Sequence, residues 1–137
     1  MIVVDSSAVI AIVFAEPEGA ALLTRLDQDL PGQRVISAAN YVESGAVLAG
    51  RIANRDEAKT DLDRFLALAG IEVVPVDVRQ SGLALEARVR FGRGFGSGAK
   101  LNFGDCFAYA LAKAMNAPLL YVGNDFTQTD IVPALSS

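Results

Sequence analysis

The sequence predicts an α/β fold in which a short, central, parallel sheet is flanked by helices. Apolar runs rich in β-branched residues are brief and end at polar residues, as in strands that are buried on both faces. They alternate with stretches of helical periodicity that are long enough to form the crossovers that parallel strands require. At 137 residues the chain has about the commonest size of one domain. We therefore expect a single domain over residues 1–137 with one hydrophobic core.

The first half of the chain begins with a predicted strand that stops at Asp5, where Ser6 and Ser7 offer hydroxyl caps for a helix. Pro17 ends that helix, and Gly70 ends the last helix of this half. The expected elements are a strand at residues 1–4, helices at 8–15 and 18–29, a very short strand at 35–36, and helices at about 38–53 and 55–69.

The second half continues the alternation around the low-complexity segment of the chain. Four glycines fall within residues 92–98, which predicts a mobile or tightly turning loop. The expected elements are a strand at 71–76, helices at 78–91 and 103–116, a strand at 119–122, and a last short strand near 131–132.

The composition excludes several catalytic mechanisms. The chain has no His and a single Cys, Cys106. Within the chain this rules out a disulfide, a Cys/His zinc cage, a Ser-His-Asp triad and a His general base. Carboxylates, hydroxyls, Lys, Arg and metals that prefer oxygen ligands remain available.

Charge and hydropathy bear on the partners and on the location of the protein. Sixteen acidic residues against twelve basic ones give a net charge of −4, which argues against binding nucleic acid through charge alone. A cation that bridges carboxylates to phosphate would still allow it. The sequence shows neither a secretory signal nor an apolar run of the roughly 18 residues that a membrane span needs. We expect a soluble cytoplasmic protein with no membrane partner.

Four acidic residues lie outside the polar, solvated helix faces on which acidic side chains are usual. Asp5 and Asp125 each follow a predicted strand, and ligands bind at the carboxyl ends of parallel strands. Glu43 and Asp105 lie on helix faces that are otherwise mostly small and apolar, where an unpaired carboxylate is expensive to bury.

Each of these acids also has a purely structural interpretation. Asp5 suits a helix N-cap, Asp105 suits a capping box with Asn102, and Asp125 suits an Asx turn. Glu43 suits a partly solvated edge beside a basic residue, Arg34 or Arg51. Four carboxylates that converged at one sheet edge would instead repel one another unless a divalent cation neutralised them. With oxygen ligands only, Mg²⁺ or Mn²⁺ is the expected cation.

Three stretches of the sequence resemble those of a known family. Residues 1–8 (MIVVDSSA) are similar to the start of a PIN domain. Residues 101–113 (LNFGDCFAYALAK) and 119–131 (LLYVGNDFTQTDI) are similar to the VapC toxins of bacterial VapBC toxin–antitoxin pairs. The resemblance covers the whole chain, and its two C-terminal blocks together are specific.

The resemblance implies a three-layer PIN domain that acts as a Mg²⁺-dependent endoribonuclease. It assigns the metal ligands to Asp5 and Asp105 and the remaining acids of the site to Glu43 and Asp125. Ser7 matches a small hydroxyl residue that supports the first Asp. Many relatives carry Asp at the position of Asn124, next to Asp125. The family also forms homodimers and is inhibited by an antitoxin of the VapB type whose C-terminal segment enters the active site.

The expected reaction is hydrolysis of an RNA phosphodiester by a metal-activated water, which Glu43 or Asp125 orients or deprotonates. Basic residues around the glycine-rich loop are candidates for contacting the RNA backbone, or else form a solvated face: Arg88, Arg90, Arg93 and Lys100. For a homodimer, the apolar helical surfaces at residues 9–14 or 62–66 are the expected interfaces.

Two other functions remain open at this stage. A phosphoryl-receiver-like domain shares the layout, but it needs a Lys at a strand end, whereas Lys100 precedes a helix. A non-catalytic α/β partner-binding domain would give no reason for Glu43 and Asp105 to lie on apolar faces.

Overall fold

The computed structural model describes residues 1–96 and 98–135, and within them the chain forms four parallel strands and six α-helices. The strands are β1 (Ile2–Val4), β2 (Arg34–Ser37), β3 (Ile71–Val74) and β4 (Leu119–Leu120). Their order across the sheet is β3-β2-β1-β4, and every neighbouring pair is parallel. The carboxyl ends of all four strands therefore meet at one edge of the sheet.

The helices connect and cover the strands. They are α1 (Ser6–Val13), α2 (Gly19–Leu26), α3 (Ala38–Arg51), α4 (Ala58–Ala69), α5 (Val78–Phe91) and α6 (Phe103–Met115), with a short 3₁₀ helix at Arg55–Glu57 before α4. Local signals start or end several of them. Asp77 caps α5, because its side chain accepts a hydrogen bond from the Gln80 N–H, and Gly70 ends α4 in the left-handed conformation.

The side chains of β1 point alternately to two sides of the sheet, as in any strand. Ile2 and Val4 pack in a cluster with residues of α1 to α4, whereas Val3 packs in a second cluster with residues of α5 and α6. The sheet thus separates two apolar layers, each closed by helices. This three-layer arrangement confirms the predicted flanked parallel sheet.

One predicted element is wrong. The expected strand near residues 131–132 is replaced by an isolated bridge between Leu119 and Pro133. The Leu119 N–H donates to the carbonyl of Val132 at 2.9 Å, and the Ala134 N–H donates to the carbonyl of Leu119 at 2.8 Å. These two bonds flank Pro133 and form the whole of the pairing among the described residues, so it stays a single bridge and not a ladder.

The two predicted dimer surfaces are largely used inside the subunit. Leu62 and Leu66 are buried against the sheet, as is Val9 on α1. The amphipathic pattern at residues 62–66 is therefore explained by the subunit's own core.

Among the described residues, no helix combines the length and the apolar character that crossing a membrane would require. Within the predicted glycine-rich loop, Ser97 lies outside the described residues.

Candidate active site

A pocket of about 340 Å³ lies at the edge of the sheet where the strands end, and all four singled-out acids line it. Asp5 follows β1, Glu43 projects from α3, Asp105 lies in the first turn of α6, and Asp125 follows β4. The expectation that these carboxylates converge is confirmed. The convergence follows from the parallel sheet, because it brings the ends of separate strands to one edge.

Asp5 is both the N-cap of α1 and a wall of the pocket. Its Oδ2 accepts hydrogen bonds from the backbone N–H of Ser7 at 3.0 Å and from the Ser7 hydroxyl at 2.5 Å. The Ser7 hydroxyl in turn accepts a bond from the N–H of Val122 at 3.0 Å, just after β4. The other oxygen of Asp5, Oδ1, is buried and has no hydrogen-bond partner within the described part of the chain. A buried acceptor without a partner is costly unless something binds it.

Asp105 is also both a cap and a wall of the pocket. Its Oδ2 accepts from the Asn102 N–H at 3.0 Å, and the Asn102 Oδ1 accepts from the Asp105 N–H at 2.8 Å. The capping box with Asn102 that the sequence suggested for Asp105 is therefore present, with both of its hydrogen bonds. It does not exclude a role in the site, since the cap engages Oδ2 while the carboxylate still faces the other acids.

Glu43 contacts residues of α1 and α6 as well as Asn40 of its own helix, α3. Its Oε1 accepts a short hydrogen bond from the Ser6 hydroxyl and an ordinary one, at 3.2 Å, from the side-chain amide of Asn40. The same amide of Asn40 donates to the Gly104 carbonyl at 3.0 Å. Gly104 packs directly on the Glu43 carboxylate, and any Cβ there would overlap it.

Neither of the two basic residues suggested as partners for Glu43 takes that role. Arg34 donates to the carbonyls of Asp29 and Ala69 at 2.7 and 2.6 Å. Arg51 lines the pocket but forms an ion pair with Glu16 at 3.4 Å. Among the described residues Glu43 therefore forms no ion pair with either arginine, although it is half-buried and Arg51 lines the same pocket.

Asp125 is the exposed member of the group. It lies in the turn after β4, beyond Gly123, whose φ of 95° belongs to the left-handed region. The hydrogen bonds that close this turn run from the N–H and hydroxyl of Thr127 to the carbonyl of Asn124, at 3.2 and 2.8 Å. They use backbone acceptors, so the turn does not depend on the Asp125 carboxylate. Asn124 lines a neighbouring cavity.

The proximity of the acids changes their protonation. Burial raises the pKa of Asp5 to about 6, against the lowering effect of the hydrogen bonds from Ser7, and the charge of Glu43 raises it further. Burial also raises the pKa of Asp105 to about 7, against the hydrogen bond from Asn102, and the charges of Asp5, Asp125 and Glu43 add to the shift. Near neutral pH the site thus retains protons that a bound cation would displace.

The donor set fits a hard cation held by few protein ligands. Within residues 1–96 and 98–135, no three acidic, His or Cys side chains form a ready-made metal cage. Asp5 and Asp105 fit as direct ligands, because the Asp5 Oδ1 is buried without a partner and both groups are stabilised by any positive charge placed between them. Mg²⁺ usually keeps several waters and takes only one or two carboxylates, so two ligands are sufficient.

Sequence reasoning missed two residues that shape the site. Ser6 was considered only as a helix cap, although its hydroxyl binds Glu43. Asn40 was not singled out; a polar residue three positions before an acid on an apolar helix face was the available signal.

The four basic candidates around the glycine-rich loop lie elsewhere. Among the residues that the structure describes, the lining of the acidic pocket includes none of Arg88, Arg90, Arg93 and Lys100. Arg88 donates to the carbonyl of Arg93 at 3.1 Å and stacks on Phe95, and Arg90 stacks on Phe91. Their predicted contact with RNA stays a prediction.

Comparison with known proteins places the chain among well-defined relatives. The PIN domain family profile matches residues 2–132. The ribonuclease VapC42 of Mycobacterium tuberculosis is 45% identical over 132 residues, which are 96% of this chain and 98% of that protein. The ribonuclease VapC28 of the same organism is 44% identical over 135 residues, 97% of each chain.

Solved structures share the fold at lower sequence identity. The VapC20 toxin of Mycobacterium tuberculosis, described as cleaving the sarcin–ricin loop, superposes with a TM-score of 0.73 and 19% identity. The match covers 96% of this chain and 97% of that chain. A toxin–antitoxin complex from Klebsiella pneumoniae matches with a TM-score of 0.70 and 16% identity over 100% of both chains.

Proposed function

The chain belongs to the VapC family of PIN-domain proteins, and we propose that it is a metal-dependent endoribonuclease, the toxin of a type II toxin–antitoxin pair. The observation that carries the proposal is the pocket in which Asp5, Glu43, Asp105 and Asp125 meet, with the buried Asp5 Oδ1 unpaired among the described residues. A domain that only bound another protein would have no use for this costly arrangement.

Asp5 and Asp105 would hold the cation, which we expect to be Mg²⁺, with Mn²⁺ as a substitute. When bound, the cation supplies Lewis-acid activation of a water and of the scissile phosphate. Ser7 keeps the Asp5 carboxylate oriented by binding Oδ2, so that Oδ1 stays directed away from this contact. The capping box fixes Asp105 in the same manner at the start of α6.

Glu43 is suited to orient the attacking water and accept its proton. The hydrogen bonds from Ser6 and Asn40 hold Oε1, while Oε2 lies against Gly104 and accepts neither of these bonds. Asp125 contributes negative charge from the exposed side and is the alternative proton acceptor. Since the chain has no His, cleavage through the RNA 2′-hydroxyl by a pair of imidazoles is not available.

The proposed partners are a VapB-type antitoxin and a second copy of the chain. Three proteins of similar fold were solved as a toxin–antitoxin complex from Klebsiella pneumoniae, as VapBC2 from Rickettsia felis with promoter DNA, and as FitAcB from Neisseria gonorrhoeae. Beside the acidic pocket lies a cavity of about 580 Å³, and the two share Val122 and Phe126 as lining residues. A segment with a basic side chain for the acids and apolar side chains for this cavity would block the site.

The test is RNA cleavage by the purified protein with Mg²⁺ or with chelator. We expect cleavage with Mg²⁺ only, and loss of at least about a hundredfold in Asp105→Asn. The amide oxygen of Asn still caps α6, so the melting temperature should stay close to that of the unsubstituted protein. Asp56→Asn is the matched control, because Asp56 is exposed on the 3₁₀ helix away from the pocket.

Two outcomes would contradict the proposal. One is full activity of Asp105→Asn, and the other is cleavage that chelator does not affect. A rise in melting temperature with Mg²⁺ separates an enzyme with a metal site from a non-catalytic partner-binding domain, because specific binding to the native state raises its stability.

A further inference from the structure

We propose that Arg51 binds a backbone phosphate of the RNA substrate at the mouth of the acidic pocket, an inference that rests on the proposed nuclease function. Among the described residues that line this pocket, Arg51 is the one basic side chain, and it stands beside five carboxylates once Glu16 is included. RNA carries one negative charge per phosphate, so a pocket of carboxylates repels it. A fixed cation at the rim offsets that repulsion and positions the strand.

The position of Arg51 follows from the helix that also carries Glu43. Residues 43, 47 and 51 are spaced by four along α3, so they share one stripe of its surface, and all three line the pocket. Arg51 is the last residue of α3, where the partial negative charge of the helix C-terminus favours a cation. The helix α3 therefore carries both the acidic Glu43 at the reacting centre and the basic Arg51 at the rim of the pocket.

The guanidinium is pre-arranged and still has donors free to bind a ligand. Its central carbon lies 5.1 Å from the centre of the Phe14 ring, and its Nη1 lies 3.4 Å from the Glu16 Oε1. An arginine has five N–H donors, and within the described part of the chain Arg51 uses one of them, in the long contact with Glu16. The Arg51 side chain is 51% exposed, so a phosphate can reach the remaining donors.

The segment between α1 and α2, which contains Phe14 and Glu16, forms a tight turn. Ala15 has a φ of 50°, a left-handed conformation that is uncommon outside glycine, and the N–H of Glu16 turns back to the carbonyl of Ala11 at 2.9 Å. Gly19 packs against the same carbonyl, where a Cβ would lie at 2.8 Å. Strained backbone that fixes a side chain at a pocket rim is typical of functional sites.

The competing explanation is that Arg51 and Glu16 form an ordinary surface ion pair. Such pairs contribute little to stability when both side chains are solvated, and Glu16 is 37% exposed. The two explanations predict different results when each partner is removed separately. If the ion pair is only structural, either substitution removes it, and the two variants should bind RNA alike. If Arg51 contacts a phosphate, only the substitution of Arg51 should weaken RNA binding.

The experiment compares Arg51→Gln with Glu16→Gln, with Arg64→Gln as the matched control. Arg64 also forms one exposed ion pair, with Asp61 at 3.6 Å, but it lies on α4 and does not line the pocket. All variants are made on the Asp105→Asn background so that a labelled single-stranded RNA is bound without being cut. Dissociation constants are measured by fluorescence anisotropy over a range of NaCl concentrations.

We expect Arg51→Gln to weaken RNA binding about tenfold. The slope of log affinity against log salt should fall by about 0.7, the value for one phosphate contact to a single strand. Glu16→Gln should bind as tightly or more tightly, and Arg64→Gln should not differ. With Asp105 restored, Arg51→Gln should raise KM about tenfold and change kcat by less than about threefold.

Equal effects of Arg51→Gln and Glu16→Gln, or no difference between Arg51→Gln and Arg64→Gln, would overturn the assignment. If the unsubstituted protein cleaves RNA and Asp105→Asn does not, but Arg51→Gln behaves like Arg64→Gln, only the inference about Arg51 fails. If the unsubstituted protein neither binds nor cuts RNA, the proposed function fails and the inference fails with it.

Discussion

Asp5 and Asp105 each perform two tasks with one side chain. One oxygen of each accepts hydrogen bonds that cap a helix, at Ser7 for α1 and at Asn102 for α6. The cap locks the rotamer, and the carboxylate is thereby held at the pocket. Structural and functional interpretations of an acid at a helix N-terminus are therefore not alternatives in this protein.

Because these two residues lose their protons as the pH rises, the metal-free protein should become less stable. The folded-state pKa values of about 6 for Asp5 and about 7 for Asp105 exceed the ordinary value of 3.8. Between about pH 4 and pH 7 the folded state therefore binds more protons than the unfolded chain, so the free energy of unfolding falls with pH. The loss is on the order of a few kcal/mol, and chemical denaturation in chelator at several pH values measures it.

Excess Mg²⁺ should flatten this pH dependence, because the cation stabilises the ionised carboxylates. Asp105→Asn is the control and should also show a shallower dependence in chelator. Identical slopes for Asp105→Asn and the unsubstituted protein would show that Asp105 does not carry a raised pKa.

Glu43→Gln should raise the melting temperature in chelator by a few degrees, on the order of 1 kcal/mol in a domain of this size. The charge of Glu43 raises the pKa of both Asp5 and Asp105, so its removal relieves repulsion. The Gln oxygen can still accept the bonds from Ser6 and Asn40. In excess Mg²⁺ the gain should shrink or reverse, because the variant loses part of the binding energy.

The comparison between the two conditions decides the role of Glu43. Glu86→Gln, an exposed change on α5, should have little effect in either condition. A loss of stability that is equal in chelator and in Mg²⁺ would make Glu43 a structural residue and reduce the site to three acids.

At the scale of elements, the site depends on the close approach of α6 to α3. Gly104, in the first turn of α6, lies against the Glu43 carboxylate of α3, and its carbonyl accepts a bond from Asn40. A side chain at this position would separate the two helices or displace the carboxylate. The absence of a Cβ at Gly104 thus sets the distance between Glu43 and Asp105.

Gly104→Ala should reduce RNA cleavage about tenfold or more while lowering stability by about 1 kcal/mol or less. The added Cβ overlaps the end of a flexible side chain, so Glu43 can move aside and the fold survives. Gly82→Ala on α5 is the matched control, because a Cβ there meets nothing within 4 Å. It should leave cleavage unchanged and raise stability by roughly 0.5–1 kcal/mol. Full activity of Gly104→Ala would contradict the proposed role of Glu43.

At the scale of the whole molecule, three exposed apolar side chains lie on α5 and at the start of α6. Leu85 is 65% exposed, Val89 is 54% exposed and Phe103 is 71% exposed. Leu85 and Val89 are one helical turn apart, and Phe103 lines the same cavity of about 190 Å³ as Leu85. This surface replaces residues 62–66 as the candidate interface of the proposed homodimer.

Light scattering at micromolar concentration should give about twice the monomer mass of 14.4 kDa. Val89→Glu should shift the protein to the monomer mass, because a charge in an apolar interface is costly to desolvate. Leu68→Glu, at another exposed apolar position, on α4, should leave the mass unchanged. A monomer mass for the unsubstituted protein would reject the dimer. A dimer that Val89→Glu leaves intact would place the interface elsewhere.

Several elements could be predicted from the sequence because their signals are local. The helix at residues 78–91 begins and ends where it was predicted, since Asp77 caps it and Gly92 follows it. The predicted strand at 71–76 stops at Val74 in the structure, just before Pro75. The strand predicted near residues 131–132 is reduced to one bridge, between Leu119 and Pro133, and its extent depends on how the last segment packs beside β4.

The sequence by itself determined the strands, the caps and the acids that follow them, because periodicity and capping act over a few residues. A parallel sheet then brings the ends of its strands together, so the meeting of Asp5 and Asp125 at one edge followed from the fold class. Tertiary structure alone decided which helix face is buried, that Ser6 binds Glu43 across 37 residues, and that Arg51 turns toward the pocket. These contacts join segments distant in the chain, and their geometry depends on how the helices pack on the sheet, which no local pattern encodes.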